Sequence, residues 1–390
     1  TNSYIKVKSS LQALKDMALL YRNNLDIKVV GITGSVGKTS TKETISYVLN
    51  KKYKVLKTEG NFNNEIGLPL TVFRLRDDDE VAVLEMGISD FGEMDRLSKI
   101  AQPDISVITN IGLCHLENLK TRDGILKAKT EIFNNMKPDG IAILNGDDDK
   151  LITVDEVNGK KPERFGINYK DGVYAKDIEN LGLSGTKFVI SGLNCVDGCK
   201  DFEVTVPVPG HHMIYNALAA ACVGAALELT SAQIADGIAD LKTISGRNNI
   251  IKTSKYTLID DCYNANPVSM KASVDVLDMA IGRKVCILGN MYELGENEKN
   301  LHYDVGQYIG TKNIDVLITI GDLARHIAMG TDDYMETHFG SYDCEIHSFD
   351  DMEEFNMAYS SILKDNDNIL IKASHAMKFA DIVELLSKDN

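Results

Sequence analysis

Ten consecutive residues constrain this chain more than any others: Gly31-Ile32-Thr33-Gly34-Ser35-Val36-Gly37-Lys38-Thr39-Ser40, set between an apolar run at residues 28–33 and a helical pattern at 38–50. A Gly-rich turn leading from a buried strand into a helix marks a βα corner, and a chain built of such corners folds around a parallel sheet. The turn also has a chemistry. Its glycines let the backbone bend so that successive N–H groups, from Gly34, Ser35, Val36, Gly37, Lys38, Thr39 and Ser40, converge on one point. The following helix adds about half a positive charge at its N-terminus. Phosphate oxygens suit such a cradle, with Lys38 reaching the terminal phosphates and Thr39 holding Mg2+. Ile32 stands where the strict phosphate-loop pattern asks for Gly, so the match is to the shorter T-G-x-x-G-K-T form. The blander reading, a Gly-rich turn with a chance lysine, is disfavoured by the strand before it and the helix after it.

The alternation continues along the chain. Residues 54–58, 81–86, 105–111 and 140–145 read as strands, with helical patterns at 92–100 and 121–135. Residues 164–208 are short-patterned, β-leaning and punctuated by glycine, which predicts a small antiparallel sheet, and Ala-rich helices follow at 212–229 and 231–241. A second series starts near Gly246, with strands at 256–260, 284–288, 316–320, 345–349 and 368–372 and helices at 269–280, 300–310, 323–329, 352–363 and 377–386. The fold class is α/β: a central parallel-sheet domain of phosphate-loop ATPase type with a small added antiparallel sheet, then a C-terminal Rossmann-like α/β domain. The expected divisions are 26–244 and 245–390. The chain opens on Thr1, and residues 9–22 read as an amphipathic helix joined to something upstream, so residues 1–25 are expected to be a remnant helix and linker.

Forty-two Lys and Arg against fifty-seven Asp and Glu give a net charge of −15, which argues against gripping nucleic acid or an anionic membrane through bulk electrostatics. No apolar run reaches the roughly 18 residues that span a bilayer. Seven cysteines include one close pair, Cys195 and Cys199, and no second pair completes a zinc set. Reduced thiols and a cytoplasmic location are expected.

Glu85 ends the apolar run 81–84, and a carboxylate at the carboxyl end of a parallel strand points into the crevice where open α/β sheets bind ligands. A Mg2+ ligand or an organiser of phosphate and water belongs there; a solvent-facing strand end is the alternative. His115 follows the next strand closely enough to share that crevice, although a lone His there is more often structural. Lys129 lies in the helical pattern 121–135, where a lysine is by default a solvated charge.

Several stretches then carry a resemblance: residues 31–42 (GITGSVGKTSTK), 58–69 (TEGNFNNEIGLP), 84–87 (LEMG), 109–117 (TNIGLCHLE), 128–133 (AKTEIF), 209–220 (PGHHMIYNALAA), Gly246-Arg247, 260–270 (DDCYNANPVSM) and 288–295 (LGNMYELG). In this order they resemble the Mur ligases, ATP-dependent amide-forming enzymes of peptidoglycan precursor synthesis. The NFNNEIGLP and DCYNANP stretches are similar to the branch that adds D-Ala-D-Ala to UDP-MurNAc-tripeptide.

The resemblance implies a three-domain enzyme whose N-terminal domain, which recognises the uridine nucleotide-sugar, is absent here except for its last helix. It implies ATP and two Mg2+ ions, a cytoplasmic monomer, and UDP-MurNAc-tripeptide and D-Ala-D-Ala as substrates. By position, Lys38 and Thr39 take the phosphate and Mg2+ roles, and Glu85 and His115 are metal ligands. Lys129 matches a lysine that relatives carry as a carbamate, itself a metal-organising anion. His212 and Asn216 fall near the adenine, Asp261 near the ribose, and Arg247 is brought to the γ-phosphate. Two departures stand out: Met213 where many relatives have Asn, and Asn290 where Asp is common. The competing readings are a relative that adds glutamate to folate, a phosphate-loop switch without ligase chemistry, and a chain that binds ATP but cannot ligate without its nucleotide-sugar domain.

Overall fold

The structure is a computed structural model that describes residues 5–243, 245–338 and 344–388. The described residues form two sheets. The first contains β1 (Lys28–Thr33), β2 (Val55–Lys57), β3 (Val81–Glu85), β4 (Ile105–Ile108), β5 (Ile141–Asn145), β6 (Glu163–Gly166), β7 (Val173–Asn180), β8 (Thr186–Ser191) and β9 (Phe202–Val206), in the order β2-β3-β1-β4-β5-β6-β7-β8-β9. Every pairing from β2 to β7 is parallel, whereas β7–β8 and β8–β9 are antiparallel. The antiparallel strands expected from 164–208 thus continue the parallel sheet edge to edge.

The central strands are apolar on both faces because both faces are covered. Val30 and Ile32 face one core with the helices Lys38–Leu49 and His212–Ala226, while Val29 faces the other with Met94, Leu97, Ile125 and Ala128. Register then places the chemistry. Ile32 pairs with Glu85, and Thr33 with Ile108, so β1, β3 and β4 end level with one another and open into one crevice.

The second sheet contains β10 (Asn249–Lys252), β11 (Thr257–Asp260), β12 (Lys284–Gly289), β13 (Val316–Ile320), β14 (Glu345–Phe349) and β15 (Asn368–Lys372), in the order β10-β11-β15-β12-β13-β14. All its pairings are parallel except β10–β11. It too has an apolar core on each face. Leu113 and Leu183 from the first unit pack against one of these cores, so the two units touch.

Some short elements escaped the sequence pattern. β10 is a short, half-exposed edge strand, the helix Leu116–Leu119 has only four residues, and the helix Gly67–Val72 has only six and begins at the end of the NFNNEIGLP-containing stretch. The helical pattern at 121–135 divides into an α-helix, Arg122–Thr130, and a 3-10 turn, Glu131–Asn135. The expected division after residue 244 falls at Ile244, outside the described residues, as do residues 1–4 of the expected N-terminal remnant. Among the described residues no helix is long and apolar enough to cross a membrane. All seven cysteines are free.

Candidate active site

A cavity of about 490 Å3 lies over the level strand ends, lined from the first unit by Ser35 to Thr41, Asn63, Glu85, His212 and Asn216 and from the second by Arg247, Asp261 and Tyr263. The sequence-derived candidates Ser35, Val36, Gly37, Lys38, Thr39, Ser40, Glu85, His212, Asn216, Arg247 and Asp261 therefore share one space. Gly34, His115 and Lys129 are not on its wall.

The loop is held in shape by the ends of β1 and β4. Gly34 (φ 153°) presses so closely on Thr109 that a Cβ would fall 1.9 Å from its Oγ1, so no other residue fits. Gly37, with φ 82°, turns the chain into the helix Lys38–Leu49. Asn110 grips the Val36 residue from both sides, accepting from its N–H and donating to its carbonyl, each at 2.9 Å. Ser35 Oγ and Gly112 exchange a second pair of hydrogen bonds. No side chain caps the helix N-terminus, which leaves its first N–H groups and its positive end facing the cavity. Lys38 folds back over the loop, its Nζ donating to Gly34 O at 2.8 Å. Desolvation in the crevice pushes its ammonium below the usual lysine range; Glu85 opposes that shift and Arg247 adds to it.

Glu85 is 2% exposed, and its two oxygens differ. Oε1 accepts from Asn63 Nδ2 at 2.8 Å, whereas Oε2 has no hydrogen-bond partner and lies 3.9 Å from the buried ammonium of Lys42. Lys42 is itself spent on Thr58 O and Glu43. A buried carboxylate oxygen without a hydrogen bond costs about 1–3 kcal/mol or more, so its persistence beside the phosphate loop marks a place for a cation. Among the described residues no three His, Cys, Asp or Glu side chains form a cage.

Lys129 departs from the default of a solvated helical lysine. It is 1% exposed and makes no ion pair or hydrogen bond among the described residues. Burial, then the neighbouring charge of Lys38, push its ammonium down to about 7, with Cys114 acting the other way. His115 sits half-buried in left-handed backbone (φ 49°), its Nδ1 3.7 Å from Glu293 Oε2 of the second unit. Burial, with Lys129 and Lys38 nearby, pushes its imidazole down as well, and Glu293 opposes that shift. Lys38, Lys129 and His115 thus form one electrostatically linked group, although Lys129 and His115 stand behind the cavity wall.

On the opposite side, Asn216 Oδ1 accepts from Thr41 Oγ1 at 2.8 Å, and its amide donates to Met213 Sδ at 3.2 Å. Met213 therefore supplies a sulfur acceptor to this amide. The Asn248 amide donates to His212 Nε2 at 3.3 Å, tying the helix of the first unit to the segment entering the second. Asp261 accepts from Lys372 Nζ at 2.6 Å, from Asn248 N at 3.2 Å and from Ser273 Oγ, so its carboxylate is already occupied. Arg247 lies over the ring of Tyr263, with its guanidinium carbon 4.2 Å from the ring centre.

Sequence reasoning gave no role to Asn63 or Lys42. The signal for Lys42 was its spacing from Lys38: four residues on a helix share a face, and this face looks toward β3.

The family described as Mur ligase middle domain matches residues 32–224, and the one described as Mur ligase, glutamate ligase domain, matches residues 246–375. The UDP-N-acetylmuramoyl-tripeptide–D-alanyl-D-alanine ligase of Bacillus subtilis is 37% identical over 386 residues, covering 98% of this chain and 81% of the relative. The chain is a Mur ligase. Solved structures extend the likeness to three dimensions. MurF from Acinetobacter baumannii superposes with a TM-score of 0.88 at 30% identity, covering 99% of this Mur ligase and 82% of that chain. MurF from Thermotoga maritima, solved in complex with ADP, gives a TM-score of 0.85 at 31% identity, covering 100% and 86%.

Proposed function

We propose that this Mur ligase joins D-Ala-D-Ala to UDP-MurNAc-tripeptide with ATP, through an acyl phosphate, in peptidoglycan precursor synthesis. The substrates follow from the curated relatives of that name, and the NFNNEIGLP and DCYNANP stretches support that branch over the folate-adding one. The observation that carries the chemistry is the juxtaposition of an uncapped, Lys38-bearing phosphate loop with a buried Glu85 whose Oε2 has no partner.

The γ-phosphoryl group of ATP passes to the terminal carboxylate of the tripeptide, giving ADP and an acyl phosphate. The amine of D-Ala-D-Ala attacks the acyl carbon, and the tetrahedral intermediate expels inorganic phosphate while the amine proton leaves to solvent or a nearby base. The protein positions the reactants and neutralises charge. The loop N–H groups of Gly34, Gly37, Lys38, Thr39 and Ser40 cradle phosphate oxygens, those of Ser35 and Val36, which the sequence also offered, being spent on Asn110, and Lys38 turns its ammonium to the terminal phosphates. Arg247 approaches them from the second unit. His212 and Asn216 border the adenine. Asp261 would act near the ribose chiefly by fixing Lys372 and the Asn248 backbone, since its own oxygens are engaged.

Thr39, Glu85, His115 and a carbamylated Lys129 would hold two Mg2+ ions. Bound magnesium would screen the phosphate charge and polarise the γ-phosphoryl group. The buried, unpaired Lys129, with its pKa near 7, supports the carbamate, because neutral amines react with CO2 and release a proton. The division into 1–25, 26–244 and 245–390, a monomeric state and a cytoplasmic location complete the proposal.

Phosphate release measured with UDP-MurNAc-tripeptide and a panel of amines tests it. Turnover should depend on D-Ala-D-Ala. Turnover with glutamate instead, or ATP hydrolysis indifferent to any amine, would reject it.

A further inference from the structure

We infer that Tyr263 is a positioning residue for Arg247, a shelf that holds the guanidinium toward the cavity without competing for it. The inference rests on the proposed role of Arg247 at the γ-phosphate.

An arginine that must meet a phosphate has a difficulty before the phosphate arrives. Its long side chain carries about 2 kcal/mol of rotamer entropy, and ordering it late subtracts from transition-state stabilisation. A carboxylate partner would order it early but would also occupy the donors that the phosphate needs. An aromatic face escapes this conflict, because it attracts the cation through its ring and leaves the in-plane N–H groups free. That is the arrangement here. Among the described residues Arg247 makes no hydrogen bond or ion pair, and the contact that defines its place is the ring of Tyr263, 4.2 Å from the guanidinium carbon. Both residues line the cavity.

The shelf is itself fixed. Tyr263 N donates to Gly246 O at 3.1 Å, so the residue before Arg247 is tied to the residue that carries the ring. Gly246 has φ 75°, and its N–H donates to Asp260 Oδ2 at 2.7 Å. A Cβ at Gly246 would come within 3.2 Å of Tyr263 Cβ, tighter than ordinary contact. Behind the ring stands His375, with centroids 5.6 Å apart. Asp261, two residues before Tyr263, holds Asn248 N, one residue after Arg247, at 3.2 Å. The backbone on either side of Arg247 and the surface under its side chain therefore come from one short segment after β11. The Tyr263 hydroxyl takes no part, which predicts that Phe can replace it.

The test is a double-mutant cycle with Tyr263→Leu, Tyr263→Phe and Arg247→Ala, read as kcat and KM for ATP, with ADP binding as the check on folding. A cation–π contact of this kind corresponds to about a 3- to 30-fold fall in kcat for Tyr263→Leu. KM for ATP should stay within about twofold, and Tyr263→Phe should match the wild type. In the Arg247→Ala background, Tyr263→Leu should have no further effect. If Arg247→Ala is impaired while Tyr263→Leu is neutral, additive with it, or expressed only in KM, the shelf is refuted and the Arg247 role stands. Failure of Tyr263→Phe to restore kcat refutes it also. Wild-type turnover by Arg247→Ala would overturn the Arg247 reading and the shelf together.

Discussion

Both sheets carry polar side chains at the carboxyl ends of their parallel strands; among the described residues the nine-stranded sheet leaves such atoms unused on the parallel strands themselves, whereas at this end of the six-stranded sheet the unused atom is Asn248 Oδ1, just before the edge strand β10. At the crevice of the nine-stranded sheet Thr33 Oγ1 and Glu85 Oε2 are buried without a hydrogen bond, and the helix at Lys38 starts without a cap. At the corresponding ends of the parallel strands in the six-stranded sheet the groups satisfy one another. Asn290 Oδ1 accepts from Ala324 N at 2.8 Å and its amide donates to Asp322 at 3.0 Å. Ser374 Oγ accepts from Tyr292 N at 2.9 Å, and Ser374 N donates to Asn290 O. Two sheets of similar architecture thus differ in their hydrogen-bond accounting. The open end is built for a ligand; the closed end is built for stability, and it reaches the ligand through the segment that bears Arg247.

Substitutions at the open end should therefore damage chemistry and spare the fold, and those at the closed end should do the reverse. The largest effect is expected at Lys38. Lys38→Ala should lower kcat/KM for ATP by about 10^3-fold or more while the melting temperature stays nearly unchanged, because its Nζ bonds only to carbonyls of its own loop. Near wild-type turnover would remove the phosphate-loop assignment.

Lys129→Ala should come next, with a loss of about 10^2- to 10^3-fold that a small carboxylic acid such as acetate partly restores. Its pH dependence has a definite sign. The folded-state pKa of about 7 lies below the ordinary lysine value of 10.5, so between those values the unfolded chain holds the extra proton. This lysine's contribution to stability therefore rises with pH across that window, and its penalty is complete below pH 7. Carbamylation follows the neutral amine, so bicarbonate should raise activity most above pH 7. Mass spectrometry or electron density showing unmodified Lys129 in a fully active sample would rule the carbamate out.

Asn63→Ala leaves the loop intact but frees Glu85 Oε1. The Mg2+ affinity read from magnesium-dependent ADP binding should weaken by about 10- to 100-fold, with no change in ADP binding under chelator. An unaltered magnesium dependence would show that the Asn63–Glu85 contact orients nothing.

The smallest effect on chemistry is expected at the closed end. Asn290→Ala should leave kcat within about twofold while lowering stability by about 1–3 kcal/mol, since the Ala324 N–H and Asp322 lose their partner. Denaturant unfolding and steady-state kinetics on the same sample decide it. A collapse of kcat at unchanged stability would erase the contrast between the two ends.

The alternation of apolar runs and helical patterns was enough to read the central parallel strands of both sheets, because strands buried on both faces are continuous apolar segments. The phosphate loop was legible for the same reason that it works: Gly34 and Gly37 occupy backbone that other residues avoid, and Lys38 follows at once. Lys129 was not legible without the family resemblance. Its burial comes from tertiary packing, and nothing in the local pattern distinguishes it from a solvated lysine. Asn63 was similarly silent, since it lies in a loop and its partner is twenty-two residues away on β3. His302 was equally silent: it is fully buried and held by Met291 N and Glu298 O.

Crystals grown with Mg2+ and a non-hydrolysable ATP analogue test the central division most directly. The phosphates should lie on the N–H groups of Gly34 and of Gly37 to Ser40, with magnesium on Glu85 Oε2, and the Asn290–Ser374 end of the second sheet should remain closed. Phosphates seated against Asn290, Gly321 and Ser374, or a metal remote from Glu85, would contradict it.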